Sequence, residues 1–333
     1  VDLLEFSECG WYCREGDFYV DPWRPVQRAI LTHLHSDHAC RGCRSYLTAQ
    51  DGELIARSRL GPEVEIQSIA YGESVVLNGV RVSLHPAGHI LGSAQVRLEH
   101  RGRVWVVTGD VKVEKDSTCA PFEPMVCDTL ITESTFGLPI FKWRPQVEIL
   151  GDIQEWWSAN RSAGKTSIIF AYALGKVQRL LAGLSLSQGP ILTHGAVETM
   201  NRCYRRTGVD LPPTRHVSEI KSRKQFAGTL VVAPPCANQP GWIRRFPDVS
   251  RAFVSGWMQI RGHRRRRAVD RGFVLSDHAD WDGLLQIITS SGAENVWVTH
   301  GYASEMVRYL SEMGINAQAI ENRFRRVPAG AEP

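Results

Sequence analysis

Thr32-His33-Leu34-His35-Ser36-Asp37-His38 sets four residues able to bind a metal within six positions, directly after the apolar run Ala29-Ile30-Leu31. The run predicts a short strand. Side chains alternate along a strand, so His33 and His35 leave it on one face. Asp37 and His38 fall in the turn beyond, where a bent backbone can aim them at a second ion. Borderline metals such as zinc favour imidazole nitrogen together with carboxylate oxygen, and two ions roughly 3.5–4 Å apart clamp a phosphate from both sides. A polar turn without metal would bury three imidazoles and a carboxylate unpaired, which is costly. The spacing HxHxDH is therefore read as a dinuclear centre at a strand end.

Other strand ends carry residues of the same kind. Asp17-Phe18-Tyr19-Val20-Asp21 predicts a strand closed by an acid, and Asp21 is expected to orient the metal loop from behind its ligands. An Asp that only initiates the Pro22 turn is the competing reading. His89 lies in Pro86-Ala87-Gly88-His89-Ile90-Leu91-Gly92-Ser93, a turn whose glycines let the backbone bring an imidazole back toward a site. The β-type runs ending in Asp110, Glu133, His278 and His300 repeat the pattern. Strand ends from one sheet system share an edge, which is where open α/β folds place their sites. His85 falls on the polar face of an alternating strand and is expected to stay out of the site. His100, His216 and His263 read as surface residues.

With 333 residues the chain exceeds one ordinary core. Hydrophobic residues at 43% and charged ones at 22% suit a soluble globular protein. No run of about 18 apolar residues occurs, and the first residues do not resemble a signal peptide, so a cytoplasmic protein with no membrane partner is expected. Eight scattered cysteines suit reduced thiols. A four-thiolate zinc site from Cys9, Cys13, Cys40 and Cys43 is the minor alternative, weakened by the spacing of the first pair.

The net charge of +4 conceals a division: residues 139–269 hold 21 Lys+Arg against 7 Asp+Glu, or +14, while the remainder holds 18 against 28, or −10. A polyanion bound by one part and chemistry done by the other is the expectation. Helix-like and strand-like segments alternate through 139–269, predicting an α/β domain with a parallel sheet. Ligand candidates lie on both sides of it. It is thus read as an insertion, with 1–138 and 270–333 forming the domain it interrupts. Arg261, Arg264, Arg265, Arg266 and Arg267 make the densest positive run and are expected to contact a nucleic-acid backbone, which fixes position without reading sequence; a solvated loop is the alternative. His194, before Gly195, is a candidate contact for a terminal phosphate.

The order Asp21, His33-x-His35-x-Asp37-His38, His89, Asp110 resembles the metallo-β-lactamase hydrolases. Glu133 in Ile131-Thr132-Glu133-Ser134-Thr135, His278 in Ser276-Asp277-His278-Ala279-Asp280 and His300 in Thr299-His300-Gly301 resemble the β-CASP branch of nucleic-acid nucleases. Ala173-Leu174-Gly175-Lys176-Val177-Gln178-Arg179-Leu180 is similar to a helix start of that branch and adds Lys176 to the expected nucleic-acid contacts. Gly16–Pro25 and Ser255-Gly256-Trp257-Met258 are most similar to the bacterial ligase-associated DNA exonucleases.

The resemblance implies an αββα metallo-β-lactamase sandwich with an inserted α/β β-CASP domain. It implies two divalent ions, Zn or Mn, one held by His33, His35 and His89, the other by Asp37, His38 and His300, with Asp110 shared. Asp37, Asp110, His278 and Glu133 are the expected catalytic residues: His278 protonates the leaving oxygen or binds the scissile phosphate, and Glu133 orients it. The implied activity is a DNA exonuclease in end processing and repair, leaning to 5′-to-3′ attack on single strands, with an ATP-dependent DNA ligase and a helicase as associates. Histidine at position 300 is more familiar from RNA-acting members, so RNA processing of the 3′-end type is the alternative.

Overall fold

The computed structural model describes residues 2–320, and the backbone divides into two compact units, Val1–Lys142 with His278–Pro333, and Trp143–Asp277. In the first unit, β1 (Glu5–Phe6), β2 (Trp11–Cys13), β3 (Phe18–Val20), β4 (Arg28–Ile30), β5 (Ser45–Ala49) and β6 (Glu65–Ile69) form one sheet in chain order. β1 to β3 pair antiparallel, and β3 to β6 pair parallel. The unit's second sheet runs β19-β18-β11-β10-β9-β8-β7 and uses β7 (Ser74–Leu77), β8 (Val80–Pro86), β9 (Ala94–His100), β10 (Arg103–Val107), β11 (Thr129–Glu133), β18 (Asn295–Thr299) and β19 (Ala317–Ala319).

Alternation decides the layers. Phe18, Val20, Ile30 and Leu47 of the first sheet meet Val82, Val96, Trp105 and Ile131 of the second in one apolar core. The opposite face of the second sheet buries Val106, Leu130 and Val298 against α7 (Trp281–Ser291) and α8 (Ala303–Glu312), through Leu284, Ile288, Met306 and Leu310. α1 (Glu53–Leu60) packs on β5 and β6. Asp280 caps α7 by accepting from the Gly283 N–H at 2.9 Å, and Gly292 ends it in the left-handed conformation.

The second unit is a six-stranded, wholly parallel sheet in the order β14-β13-β15-β12-β16-β17. Its strands are β12 (Thr166–Phe170), β13 (Ile191–Thr193), β14 (Arg215–His216), β15 (Leu230–Ala233), β16 (Val249–Val254) and β17 (Arg271–Phe273), and its helices are α2 (Gln146–Ser162), α3 (Lys176–Ala182), α4 (Gly195–Arg206), α5 (Pro240–Ile243) and α6 (Arg261–Arg266). β12 and β15 are buried along their whole length, which explains their unbroken apolar runs. The division does not fall at 269/270. β17 pairs with β16, with Ala252, Phe253 and Val254 opposite Arg271, Gly272 and Phe273, and so stays in this sheet. The chain leaves the unit only after Asp277.

Candidate metal centre

β4 ends at Ile30, so His33 and His35 lie beyond the strand in irregular backbone that still brings both imidazoles to one centre, and the first unit's second sheet supplies the rest. β8, β10, β11 and β18 run the same way, since β8 and β10 are each antiparallel to β9 while β11 and β18 extend from β10 in parallel. Their carboxyl ends therefore share one edge. His89 follows β8, Asp110 follows β10, Glu133 closes β11 and His300 follows β18.

Four ligand atoms converge. His35 Nδ1 lies 3.1 Å from His33 Nε2 and 3.2 Å from His89 Nε2, while Asp110 Oδ2 lies 3.3 Å from His33 Nε2 and 3.7 Å from His89 Nε2. A tetrahedral ion with bonds of about 2.0–2.1 Å separates its ligand atoms by about 3.3–3.4 Å. The cage fits one. Asp110 turns its other oxygen away: Oδ1 is 3.6 Å from His38 Nε2, which is 3.5 Å from Asp37 Oδ2. His33, Asp37 and His38 form a second group of ligand atoms. His38 Nε2 is buried without a hydrogen-bond partner among the described residues, a cost that a cation there would remove.

The tautomers are set from behind. Asp21 Oδ2 accepts from His38 Nδ1 at 2.6 Å and from Thr32 Oγ1 at 2.5 Å, and its Oδ1 accepts from the Thr32 amide at 2.8 Å. With its proton committed to Asp21, Thr32 Oγ1 can only accept from His33 Nδ1, at 3.1 Å. Both imidazoles are thereby oriented with Nε2, rather than Nδ1, toward the centre. Asp21 holds this position at φ 45°, in the left-handed region. Asp21→Asn keeps the shape but leaves one oxygen to accept. A 10–100-fold loss of metal affinity is expected with the fold intact, measured by competition against a chromophoric chelator; unchanged affinity would remove Asp21 from this role.

Glycine is required twice. Gly88, before His89, has φ 74°, and a Cβ there would lie 2.1 Å from the Lys112 carbonyl oxygen; Gly109, before Asp110, has φ 58°, and a Cβ would lie 2.5 Å from the Thr32 side chain.

His278 completes the arrangement. Its Nδ1 donates to Glu133, 2.9 Å from Oε1 and 3.0 Å from Oε2, and its Nε2 is 3.9 Å from Asp110 Oδ2. Glu133 is itself fixed by the Val111 and Thr135 amides at 2.9 and 3.2 Å. His300 stands outside the tight groups, its ring 5.6 Å from that of His38, at φ 54°. His38, Asp110, Glu133 and His300 line one cavity of ≈ 30 Å³.

Charge follows geometry. Burial alone would raise the Asp110 carboxyl, yet His38, His278 and His33 hold it well below the usual carboxylate range. Burial would lower His38, but Asp37, Asp110 and Asp21 push it up to about 9. Burial, with His38, drives His33 down against Asp110.

Several expected contacts lie elsewhere. Lys176 is buried, its Nζ 3.1 Å from Asp277 Oδ1, so it is not a solvent-facing hand for a phosphate. The carboxylate that neutralises it is a hundred positions away in sequence. His194 caps α4, accepting from the Ala196 amide at 3.1 Å. Arg261, Arg265 and Arg266 are exposed on the short helix α6, and Arg267 lies over the Phe253 ring at 4.5 Å. The Arg264 side chain lies outside the described residues. Cysteines contribute to no metal-sized cluster among the described residues. His85 is bonded to Ser83 and Glu123.

Three hydroxyls escape sequence reasoning: Thr32, Ser93, which accepts from the His89 and Ile90 amides at 3.1 Å each, and Ser134, which donates to the Thr299 carbonyl at 3.2 Å and to that of His300.

No protein-family model matches the chain. A "Probable DNA ligase" of Opitutus terrae is 32% identical over 95% of this chain and 31% of its own length. "Endoribonuclease YSH1" of Yarrowia lipolytica is 31% identical over 78% of this chain and 38% of its own. The chain thus spans about a third of the length of these relatives. A crystal structure of a protein of unknown function from Enterococcus faecalis superposes with a TM-score of 0.58 over 89% of this chain and 79% of that one, at 11% identity, a likeness of fold. By sequence, the chain is a homologue of proteins of the metallo-β-lactamase β-CASP family.

Proposed function

We propose that this chain is a two-metal phosphodiesterase that cleaves nucleic acid, its first unit an αββα metallo-β-lactamase domain and its second the inserted β-CASP domain. The reading is carried by one observation: a buried carboxylate, Asp110, directs one oxygen into a cage of three histidine nitrogens and the other toward His38 and Asp37. His33, His35, His89 and Asp110 would hold one divalent ion, Zn or Mn, and Asp37, His38, His300 and Asp110 the other. Bound there, the ions would supply a water of lowered pKa and neutralise charge on the phosphoryl oxygens. The chain's own groups do the rest. Glu133 holds the proton on His278 Nδ1, so that Nε2 faces the centre and can pass a proton to the leaving oxygen.

The preferred substrate is DNA, cut as an exonuclease from the 5′ end of single strands in end processing, with a ligase and a helicase as associates. The relative named for DNA ligation, aligned over 95% of this chain, supports it. RNA is the second reading, favoured by His300 and by the relative named as an endoribonuclease. One assay separates them: matched end-labelled DNA and RNA, single- and double-stranded, with Mn²⁺ or Zn²⁺ returned after chelation. Cleavage of RNA alone overturns the DNA reading; cleavage unaffected by chelator overturns both.

The exposed arginines of α6 give a separate expectation. Replacing Arg261, Arg265 and Arg266 by Gln should weaken duplex binding and flatten the plot of log K against log salt by roughly 0.9 for each phosphate that is no longer neutralised. An unchanged slope would leave α6 to bulk solvent.

A further inference from the structure

We infer that Lys176 and Asp277 are a positioning pair for His278, deepening the nuclease reading on which this rests. Lys176 opens α3 and its side chain is 1% exposed; that of Asp277 is 2% exposed, and the ammonium sits 3.1 Å from Oδ1 and 5.1 Å from the centre of the Tyr172 ring. Stability alone is a poor account of such a pair. Desolvating two charges offsets most of their attraction, and well-packed apolar replacements are often as stable or more so. What the pair does is fix a point in the chain. Residues 274–280, between β17 and α7, form neither helix nor strand, and His278 lies among them.

That segment is pinned on both sides of His278. Downstream, the Ala279 amide donates to the Val111 carbonyl at 2.6 Å and Asp280 caps α7. Upstream, one peptide bond away, Asp277 is held by Lys176. The imidazole itself needs a fixed backbone, because its Nδ1 must meet both oxygens of a Glu133 that the Val111 and Thr135 amides already immobilise. Displacement by a fraction of an ångström loosens that bond and swings Nε2 off the leaving oxygen.

The test compares Lys176→Met, Lys176→Arg and the double variant Lys176→Met/Asp277→Leu with the full wild-type chain, each loaded with Mn²⁺. Lys176→Met should lower kcat at least tenfold with KM and metal content unchanged, and Lys176→Arg should recover most of it. The double variant, which removes the stranded charge, should melt like the wild type while kcat stays low. A double variant that cleaves at the wild-type rate overturns the proposal, leaving the pair a stabilising interaction only.

A second readout does not depend on cleavage. Nitrogen-15 NMR of histidine-labelled protein, assigned with His278→Gln, follows the His278 Nδ1–H signal. It should be lost or shifted in Lys176→Met and in the double variant, and regained in Lys176→Arg. An unmoved signal refutes the positioning role, whereas a wild type that shows the signal yet cleaves nothing refutes the nuclease reading instead.

Discussion

Asp110→Ala should reduce cleavage by about a thousandfold or more, close to 4 kcal/mol of barrier, and should strip metal from both positions. The expectation follows from one residue serving two groups. Oδ2 belongs to the cage of His33, His35 and His89, and Oδ1 faces His38, so alanine would remove a proposed ligand from each and the shared anion from both. Losing a partner that only supports a ligand costs 10–100-fold in affinity; losing a common ligand costs more. The fold should persist, because the apolar cores on the two faces of the second sheet do not include Asp110. Elemental analysis after dialysis, single-turnover cleavage and circular dichroism check the three parts. Two ions retained with full activity would end the bridging assignment.

The same residue gives a pH signature in metal-free protein. The Asp110 carboxyl is depressed in the folded state, so its contribution is present above the ordinary carboxylate range near ~4 and is lost as pH falls through its folded value. His38 is raised to about 9, so its share is full below ~6.5 and is lost as pH rises through 9. The melting temperature of the metal-free wild type should exceed that of Asp110→Ala most between about 4 and 6.5. A flat difference from pH 3 to 10 would contradict it.

Much of this centre could be read from the chain because a strand constrains its residues locally. The apolar runs before Asp110, Glu133 and His300 become β10, β11 and β18 almost residue for residue, whereas His33 and His35, expected to alternate along a strand, lie beyond the end of β4. What escaped is set by partners far away. β1, β14 and β19 are two or three residues long and exist only through pairing, and β5 lies beside a helix start that masks it. β17 reads as a strand of the first domain until its register with β16 places it in the inserted sheet. Lys176 at a glycine-led helix start looks solvent-facing in sequence, and only its distant carboxylate makes burial tolerable. Thr32, Ser93 and Ser134 are ordinary hydroxyls until three dimensions show what they hold.

His278→Ala should slow cleavage by about a hundred- to ten-thousandfold, the range of general acid catalysis, with both ions still bound. Position carries the argument. Glu133 accepts the Nδ1–H hydrogen bond through both oxygens, so Nε2 looks into the centre, 3.9 Å from Asp110 Oδ2, where on the proposed mechanism a leaving oxygen would receive its proton. Phe136, with its ring 5.8 Å from that of His278, and the burial of His278 itself keep bulk water from substituting for the lost acid. Two competing roles give different results. Asp110, Glu133 and His278 together could ligate an ion, and in that case the variant loses metal by elemental analysis. If His278 instead grips the scissile phosphate, every substrate suffers alike. A nucleotide p-nitrophenyl ester, whose leaving group departs without a proton, distinguishes the acid from the grip: the variant should hydrolyse it within a few-fold of wild type while remaining crippled on DNA, and an equal loss on both would assign His278 to phosphate binding.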